Sequence, residues 1–533
     1  MKIIILNTAC CWKPHSYPFL HLSKILQQKG YEILQVFENK FECSYKDNNW
    51  DKLCQINKIK IENSARENYI PYCFLSDYLE KELRNNVDKM LIKTDSSNWK
   101  EQIYDDLNLF SITKGSISRV LRKVIKEPSS QEFEVIQKFY ISAICAIEAF
   151  KKLYKEVKPD VVIFLNGLWY LERIAYEIGK RFQIRTFAHE NSCFNDRKFF
   201  DPNGIIANRH SFAFNSLHSL EARVINQSEK LILYEYLQNI YNGNKNTISQ
   251  TKPGESEIIR KNIRIPNHKK IALLLGQVPY DTVMVYDSPI YDHLIDFIKD
   301  TIEFFKIKRD YHLIIRLHPY EEIGNNNATF HSLIKGVIPE NISIVHSQQI
   351  NTYSLMDLCN FGITITSQAG LELLSKNKPL IVLGNAFYAN KGFTHDVKDR
   401  EHYPLVLERV IKNPFLNNDE IIKIEKFLFS MIFEYLIPFD PLVNKFTNNG
   451  IDKIIKLLNV CNTYTPSSNF TVDIDNKKKS YNYNNNFIDS WGKFERKSLL
   501  IKFYSNKLYY IKKIMSRPIY YMKYLVTIFL KKD

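Results

Sequence analysis

No pair of cysteines in this 533-residue sequence has the spacing of a metal-binding knuckle. The nine cysteines (10, 11, 43, 54, 73, 145, 193, 359 and 461) are odd in number, scattered and without a CxxC pair. That pattern excludes a disulfide framework and a zinc site, and it predicts reduced thiols in a cytosolic protein. No apolar run reaches the roughly 18 residues of a membrane span. The apolar run in MKIIILNTACCW is too short for a signal peptide and reads as a first β-strand. The chain is therefore expected to stay inside the cell, with any membrane contact peripheral. There is no internal repeat of fixed period, which excludes solenoids and propellers. A DxD pair does occur, Asp473 and Asp475, but it lies in low-complexity sequence away from any strand end. No metal site is read there, and neither a metal nor another cofactor is expected.

At this length a single core is exceeded, so two domains with additions are expected. A hydrophobic share of 45% and a charged share of 25% are those of a folded globular chain. The net charge of +15 is unevenly placed: residues 491–533 hold eleven Lys/Arg against two acidic residues, or +9, leaving +6 for the other 490. The body is mildly basic and the tail is strongly so.

Strand and helix patterns alternate along the chain. KIIILN reads as a buried strand, FLHLSKILQQKG as a helix with a glycine stop, and YEILQVF as a second strand. PDVVIFLNG, YLERIAYEIGKRF and IRTFAHEN repeat the pattern, with a mostly helical insertion over about 75–155. A second series runs from KKIALLLGQ through HLIDFIKDTIEFFK, YHLIIRLHP, ISIVH and FGITITSQ to PLIVLG. Such alternation predicts parallel, doubly wound sheets. The expected organisation is an N-terminal Rossmann-like domain over 1–245 and a C-terminal Rossmann-like domain over 246–415. Crossing helices over 416–461, a flexible Asn/Lys/Ser/Tyr-rich linker over 462–488 and a basic aromatic tail over 489–533 complete it. Two α/β domains of this kind hold ligands at the carboxyl ends of their strands, in the cleft between them.

Four clusters fall at predicted strand ends. His189, Glu190 and Asn191 follow IRTFA; Gly276 to Thr282 follow IALLL and include Gln277 and Asp281; Arg316, Leu317, His318 and Pro319 close YHLII. The fourth is TSQAGLELLSKNKPLIVLGNAFYANKGFTHD. Its Thr366, Ser367 and Gly370 precede a predicted helix LELLSKN, whose free backbone N–H groups would suit a phosphate. A loop with Tyr388, Lys391, Thr394 and His395 follows PLIVLG. Each residue has a plainer use. Glu190 can cap a following helix, Asp281 can cap the helix after it, His318 can be a satisfied loop histidine, and Glu372 a solvated helix residue. Their recurrence, in order, at strand-to-loop boundaries of two sheets favours the functional use.

GQVPYDT, RLHP and SQAGLELL…NKPLIVLGNAFYANKGFTHD together resemble the bacterial capsule-polysaccharide biosynthesis family of retaining β-Kdo transferases, over roughly residues 160–400. The resemblance implies the two-domain GT-B fold and CMP-β-Kdo as donor substrate. It implies Asp281 as the nucleophile forming a glycosyl-enzyme adduct, Glu190 as base on the acceptor hydroxyl, and His318 as a contact of the CMP phosphate. Ser367 and the N–H groups after it would hold that phosphate, and Glu372 the ribose hydroxyls. Gln277, Arg316 and Pro319 are expected around the nucleotide, as are Thr366, Gln368, Ala369 and Gly370; Tyr388, Lys391 and Thr394 close the set. Asn191 and Ser192 depart from the family's acidic-Gly pair after the base, and Arg316 stands where lysine is common.

The chemistry agrees with these roles. CMP leaves with one phosphate, so fixed donors can stabilise it without a metal. Retention of configuration needs two displacements, hence a carboxylate nucleophile and a separate base. By charge, Lys391 or Arg316 is the candidate to pair the donor's carboxylate. The expected partners are CMP-Kdo and a lipid-linked or oligosaccharide acceptor of the capsule or lipopolysaccharide type, and no nucleic acid. The alternatives are a transferase using CMP-sialic acid or another CMP-nonulosonate, or a non-catalytic glycan- or membrane-binding protein on the same fold.

The tail mixes Lys/Arg with Trp, Phe, Tyr and Leu, as does an amphipathic helix lying on an anionic bilayer, and Pro518 would divide it. Its plainer use is a helical extension packed on the body. Deleting residues 489–533 is expected to move the protein from the membrane fraction to the soluble fraction on cell fractionation. An unchanged distribution would make the tail a structural extension.

Overall fold

The computed structural model describes residues 1–8, 13–44, 50–80, 83, 98–202, 224–242, 251–318, 338–346 and 349–460. Pro319, the predicted linker and tail, and Asp473 with Asp475 lie outside the described residues.

Each apolar run of the first series forms a strand. β1 (Lys2–Asn7) is followed by α1 (Lys13–Gln28), β2 (Glu32–Phe37), α2 (Trp50–Glu67) and a short β3 (Tyr72–Phe74). The insertion supplies the hairpin β4 (Ile103–Tyr104) and β5 (Leu107–Asn108), then α3 (Leu109–Leu121) and α4 (Ser130–Val157). α3 starts where Asn108 accepts from the Ser111 N–H. α4 starts at a reciprocal Ser129–Glu132 capping box and ends at Lys158 in the left-handed region. β6 (Val161–Leu165), α5 (Tyr170–Arg181), β7 (Arg185–Asn191) and β8 (Arg197–Asp201) complete this half. β8 returns antiparallel along β7, so Glu190 opens a hairpin and caps no helix.

α6 (Gln227–Tyr241) and α7 (Ser256–Asn262) lead to the second series. It comprises β9 (Lys270–Leu275), α8 (Thr282–Asp287), α9 (Leu294–Lys306), β10 (Tyr311–Arg316), β11 (Ile342–Val345), α10 (Thr352–Leu358) and β12 (Phe361–Thr364). α11 (Ala369–Leu374), β13 (Leu380–Val382), β14 (His395–Asp396) and α12 (His402–Lys412) follow. The stretch expected to be crossing helices contains more than helices. α13 (Asn418–Phe429) relaxes into a π-helical turn, Ser430–Tyr435. β15 (Ile437–Asp440) and β16 (Lys445–Phe446) come next, then α14 (Asn448–Val460). The apolar run LFSMIFEYLI reads as one helix by composition, but its last residues find a strand partner in β8.

The strands form two large sheets. The first has the order β16-β15-β8-β7-β6-β1-β2-β3, parallel from β3 to β7 and antiparallel beyond. The second, β11-β10-β9-β12-β13-β14, is parallel throughout. β1, β6, β9 and β10 are almost wholly buried, which is why they read as continuous apolar runs instead of alternating ones. Two Rossmann-like halves so joined make the GT-B fold.

The halves touch at defined points. α3 lies on α8, where the Gly115 N–H donates to the Tyr286 hydroxyl at 3.3 Å and Lys114 Nζ to the Val285 carbonyl at 3.3 Å. A Cβ at Gly115 would come within 2.9 Å of the Tyr286 ring, so glycine is what permits the approach. Elsewhere the Tyr241 hydroxyl donates to the Ser375 carbonyl at 2.9 Å, and Phe199 meets Phe387 edge-on at 5.7 Å. Among the described residues no helix is long and apolar enough to cross a membrane.

Candidate active site

The order of the second sheet decides where its loops meet. The chain builds β9, β10 and β11 outward in one direction, then crosses back to lay β12 on the other side of β9. The carboxyl ends of β9, β10 and β12 are therefore adjacent, at the switch point where such folds bind ligands. The Gly276 N–H donates to the Arg316 carbonyl at 2.8 Å, tying the β9 and β10 ends together. The Gln277 amide donates to the Thr366 hydroxyl at 2.9 Å and accepts the Thr366 N–H at 3.1 Å, tying β9 to the loop after β12. His318, the Asp281 loop and Ser367 are carried on these three ends.

Asp281 caps α8: its Oδ1 accepts from the Thr282 N–H at 2.7 Å and from the Thr282 hydroxyl at 3.3 Å. The plainer reading of this residue is thus realised, but it engages one carboxylate oxygen only. Burial raises the Asp281 pKa, and the Thr282 N–H and the Arg119 charge work against that rise.

Glu190 comes from the other half, at the end of β7. Asn166, in the turn after β6, donates to Glu190 Oε2 at 2.9 Å, and the Asn191 N–H donates to Oε1 at 2.7 Å. The turn requires positive φ at Asn166 (29°) and Gly167 (72°), the conformation an Asn-Gly pair tolerates. Burial raises the Glu190 pKa first. The Asn166 and Asn191 hydrogen bonds and the Lys198 charge lower it, and the negative charge of Asp281 raises it again. Glu190 thus feels the charge of Asp281 from the other half.

Around Glu190 stand residues whose roles the sequence did not disclose. Lys198 on β8 is 2% exposed and donates to Asn191 Oδ1; burial brings its ammonium down to about 8. His15 Nε2 lies 3.7 Å from Glu190 Oε1 and 3.3 Å from Asn191 Nδ2, and burial drives its pKa well down, leaving a neutral ring. His189 stacks on Phe19 at 3.9 Å between ring centres and is likewise kept neutral by burial. A lysine within the strand RKFFD was a partial signal for Lys198, and LNG after a strand was one for Asn166. His15 gave none.

The fourth cluster requires corrections. α11 begins at Ala369, and its first N–H groups are already bonded. Ala369 donates to Ser367 Oγ at 3.3 Å, Gly370 to the Ser367 carbonyl at 2.9 Å and Leu371 to the Gln368 carbonyl at 3.0 Å. The expected row of open amides is absent because the turn closes on itself; the Ser367 hydroxyl keeps its own proton to donate. Gly370 serves packing, since a Cβ there would lie 2.6 Å from the Tyr388 hydroxyl and 2.8 Å from Leu380. Tyr388 is fully buried and donates to the Ser367 carbonyl at 2.5 Å, so it supports the loop from beneath and offers no surface to a ligand. Gln277 and Thr366 are buried and paired with each other, and Arg316 is buried with its Nη2 donating to Thr352 Oγ1 at 3.1 Å. Thr394 donates to Asp396 Oδ2 at 2.9 Å.

Gln368, Glu372 and Lys391 remain partly exposed. The buried Gln368 Oε1 accepts no hydrogen bond from any described residue. Burial brings the Lys391 ammonium down to about 7 against the pull of Asp396. Glu372 accepts from the Tyr353 hydroxyl at 2.5 Å, and burial pushes its carboxyl up to about 7 despite that bond. It is not a solvated helix residue. Among the described residues no group of three or more His, Cys, Asp and Glu is placed to hold a metal ion.

Residues 229–406 match the family described as capsule polysaccharide biosynthesis protein. That stretch is about a third of the chain. The Escherichia coli capsule polysaccharide export protein KpsS is 29% identical over 123 residues, covering 22% of this chain and 30% of that protein. The chain thus matches less than a third of that relative's length. Among solved structures, the Thermosulfurimonas dismutans KpsC β-Kdo 2,4-transferase is similar at 17% identity and a TM-score of 0.40, over 56% of this chain and 87% of that one. The KpsC β-Kdo 2,7-transferase of the same organism is similar at 15% identity and a TM-score of 0.38, over 62% and 97%.

The raised Glu372 pKa has a consequence for stability. A carboxyl whose folded pKa lies above its ordinary 4.5 contributes stability that is complete below that value and is lost as pH rises toward 7. Glu372→Gln removes this loss, so urea denaturation should show the variant more stable than wild type at pH 8, by about 1–3 kcal/mol. Near pH 5 the gain should largely vanish. An equal difference at both pH values would contradict the assignment.

Proposed function

We propose that the protein is a retaining glycosyltransferase that moves Kdo from CMP-β-Kdo to a capsule- or lipopolysaccharide-type acceptor. The observation that carries the reading is the placement of two carboxylates at strand carboxyl ends, Asp281 in the loop after β9 and Glu190 at the end of β7 in the other half, with the charge of Asp281 acting on Glu190. The match of residues 229–406 to the capsule polysaccharide biosynthesis family supports the substrate class.

In this mechanism Asp281 attacks the anomeric carbon of the donor. The bond to the phosphate oxygen breaks, and CMP leaves with the electron pair. His318 and the Ser367 hydroxyl donate toward the departing phosphate, and Glu372 accepts from the ribose hydroxyls. The acceptor hydroxyl then attacks the same carbon from the opposite face, displacing the Asp281 carboxylate while Glu190 takes its proton. Two inversions give retention. A base works best with a pKa drawn toward neutrality, and burial shifts Glu190 in that direction. Its orientation is fixed by Asn166 and the Asn191 N–H, so little reorganisation is needed at the moment of reaction. Lys198 and the neutral His15 complete the support around it. No step calls for a metal. The basic tail would hold the enzyme at the anionic cytoplasmic face of the inner membrane, beside a lipid-linked acceptor.

Asp281→Ala is expected to lower transfer from CMP-Kdo by about a thousandfold or more while CMP affinity stays within about twofold. Glu190→Gln should lose transfer to the acceptor to a similar degree. The assay is CMP release and product formation with CMP-Kdo and with CMP-sialic acid, using an acceptor extract. Near-normal product from Asp281→Ala removes the double displacement, and turnover of CMP-sialic acid alone reassigns the donor.

A further inference from the structure

The cation that acts on Asp281 is not one of those expected at strand ends. It is Arg119, in the last turn of α3, on the insertion of the N-terminal half. Its guanidinium carbon lies 5.4 Å from the centre of the Tyr280 ring, and Tyr280 directly precedes Asp281. The side chain is partly exposed and makes no hydrogen bond or ion pair with any described residue. Its N–H donors are thus uncommitted to the described residues while its guanidinium lies over an aromatic ring, which suits an arginine that receives an anion.

Two contacts fix this position. Gly115 and Arg119 are four residues apart and so share one face of α3. Gly115 is pressed against Tyr286, with no room for a Cβ, and Lys114 Nζ lies 4.5 Å from the centre of that ring while donating to the Val285 carbonyl. α3 is thereby locked along α8, which carries Arg119 to the α8 cap where Asp281 stands.

We propose that Arg119 forms a carboxylate-binding subsite beside Asp281 for the acid group of a sugar acid, a proposal that rests on the crevice being a CMP-ulosonate transferase site. In a 2-ulosonic acid the carboxylate is bonded to the anomeric carbon itself. A cation that pairs with it must therefore stand next to the nucleophile. Arg119 does. Arg316 is buried on Thr352, and Lys391 lies 5.8 Å from the centre of the Phe427 ring and is drawn to Asp396. Arg119 also offsets the repulsion between the incoming carboxylate and Asp281, which would otherwise oppose their approach. The carboxylate belongs either to the donor or to an acidic terminal sugar of the acceptor.

The test uses the full chain with free Kdo and its neutral methyl ester as probes, titrated by calorimetry, with CMP titrated separately. Wild type should prefer the acid over the ester by about tenfold or more. Arg119→Gln should abolish that preference while CMP affinity stays within about twofold, and Arg119→Lys should restore part of it. With CMP-Kdo as donor, a raised donor KM in Arg119→Gln assigns the carboxylate to the donor, and a raised acceptor KM alone assigns it to the acceptor. Equal affinity of wild type for acid and ester, or an undiminished preference in Arg119→Gln, overturns the subsite. Failure of wild type to bind CMP would count against the nucleotide reading and leave the acid-versus-ester comparison standing.

Discussion

A carboxylate taken out of water needs fixed dipoles and cations in water's place, and Glu190 and Asp281 are both in that position. Glu190 receives the Asn166 amide, the Asn191 N–H and the nearby Lys198 charge. Asp281 receives the Thr282 N–H and hydroxyl and the Arg119 charge. Each acid is thus compensated mainly from its own half, and Arg119 alone of these reaches from one half to the acid of the other. The arrangement leaves both pKa values raised, a condition in which a carboxylate is more basic than in water and more sensitive to what enters beside it.

The scaffold explains how these groups are held. Crossing back from β11 to β12 makes the β9, β10 and β12 ends neighbours, and buried pairs such as Gln277 with Thr366 fix the loops that leave them. Tyr388 supports the Ser367 carbonyl from below, in space that only a glycine at 370 leaves open. Several side chains that look like ligand contacts in the sequence are the supports of the loops that carry the true candidates. The distinction between holding a loop and touching a ligand is one of burial, and burial follows from tertiary packing.

That is also where legibility in the sequence ended. The strands were legible because central parallel strands are apolar on both faces, and KIIILN, VVIFL, IALLL and YHLII need no partner to be recognised. The candidate acids were legible because Glu190 and Asp281 sit just past such runs. The antiparallel return through β8, β15 and β16 was not, since the run from Phe427 to Ile437 satisfies helix and strand alike until β8 offers an edge. Nor were the closed turn at Ser367, the neutral His15 and the reach of Arg119 from α3. Each depends on contacts between residues far apart in the chain, which local spacing does not encode.

The central claim is that one crevice grips a cytidylate on the second half and presents to its sugar an acid from each half. A crystal structure of the full chain with CMP tests it most directly. The account predicts the nucleotide at the β9, β10 and β12 ends, its phosphate within hydrogen-bond reach of His318 and the Ser367 hydroxyl, with Asp281 and Glu190 both facing the space beyond that phosphate. CMP bound away from these ends, or the two carboxylates opening onto separate surfaces, would contradict it.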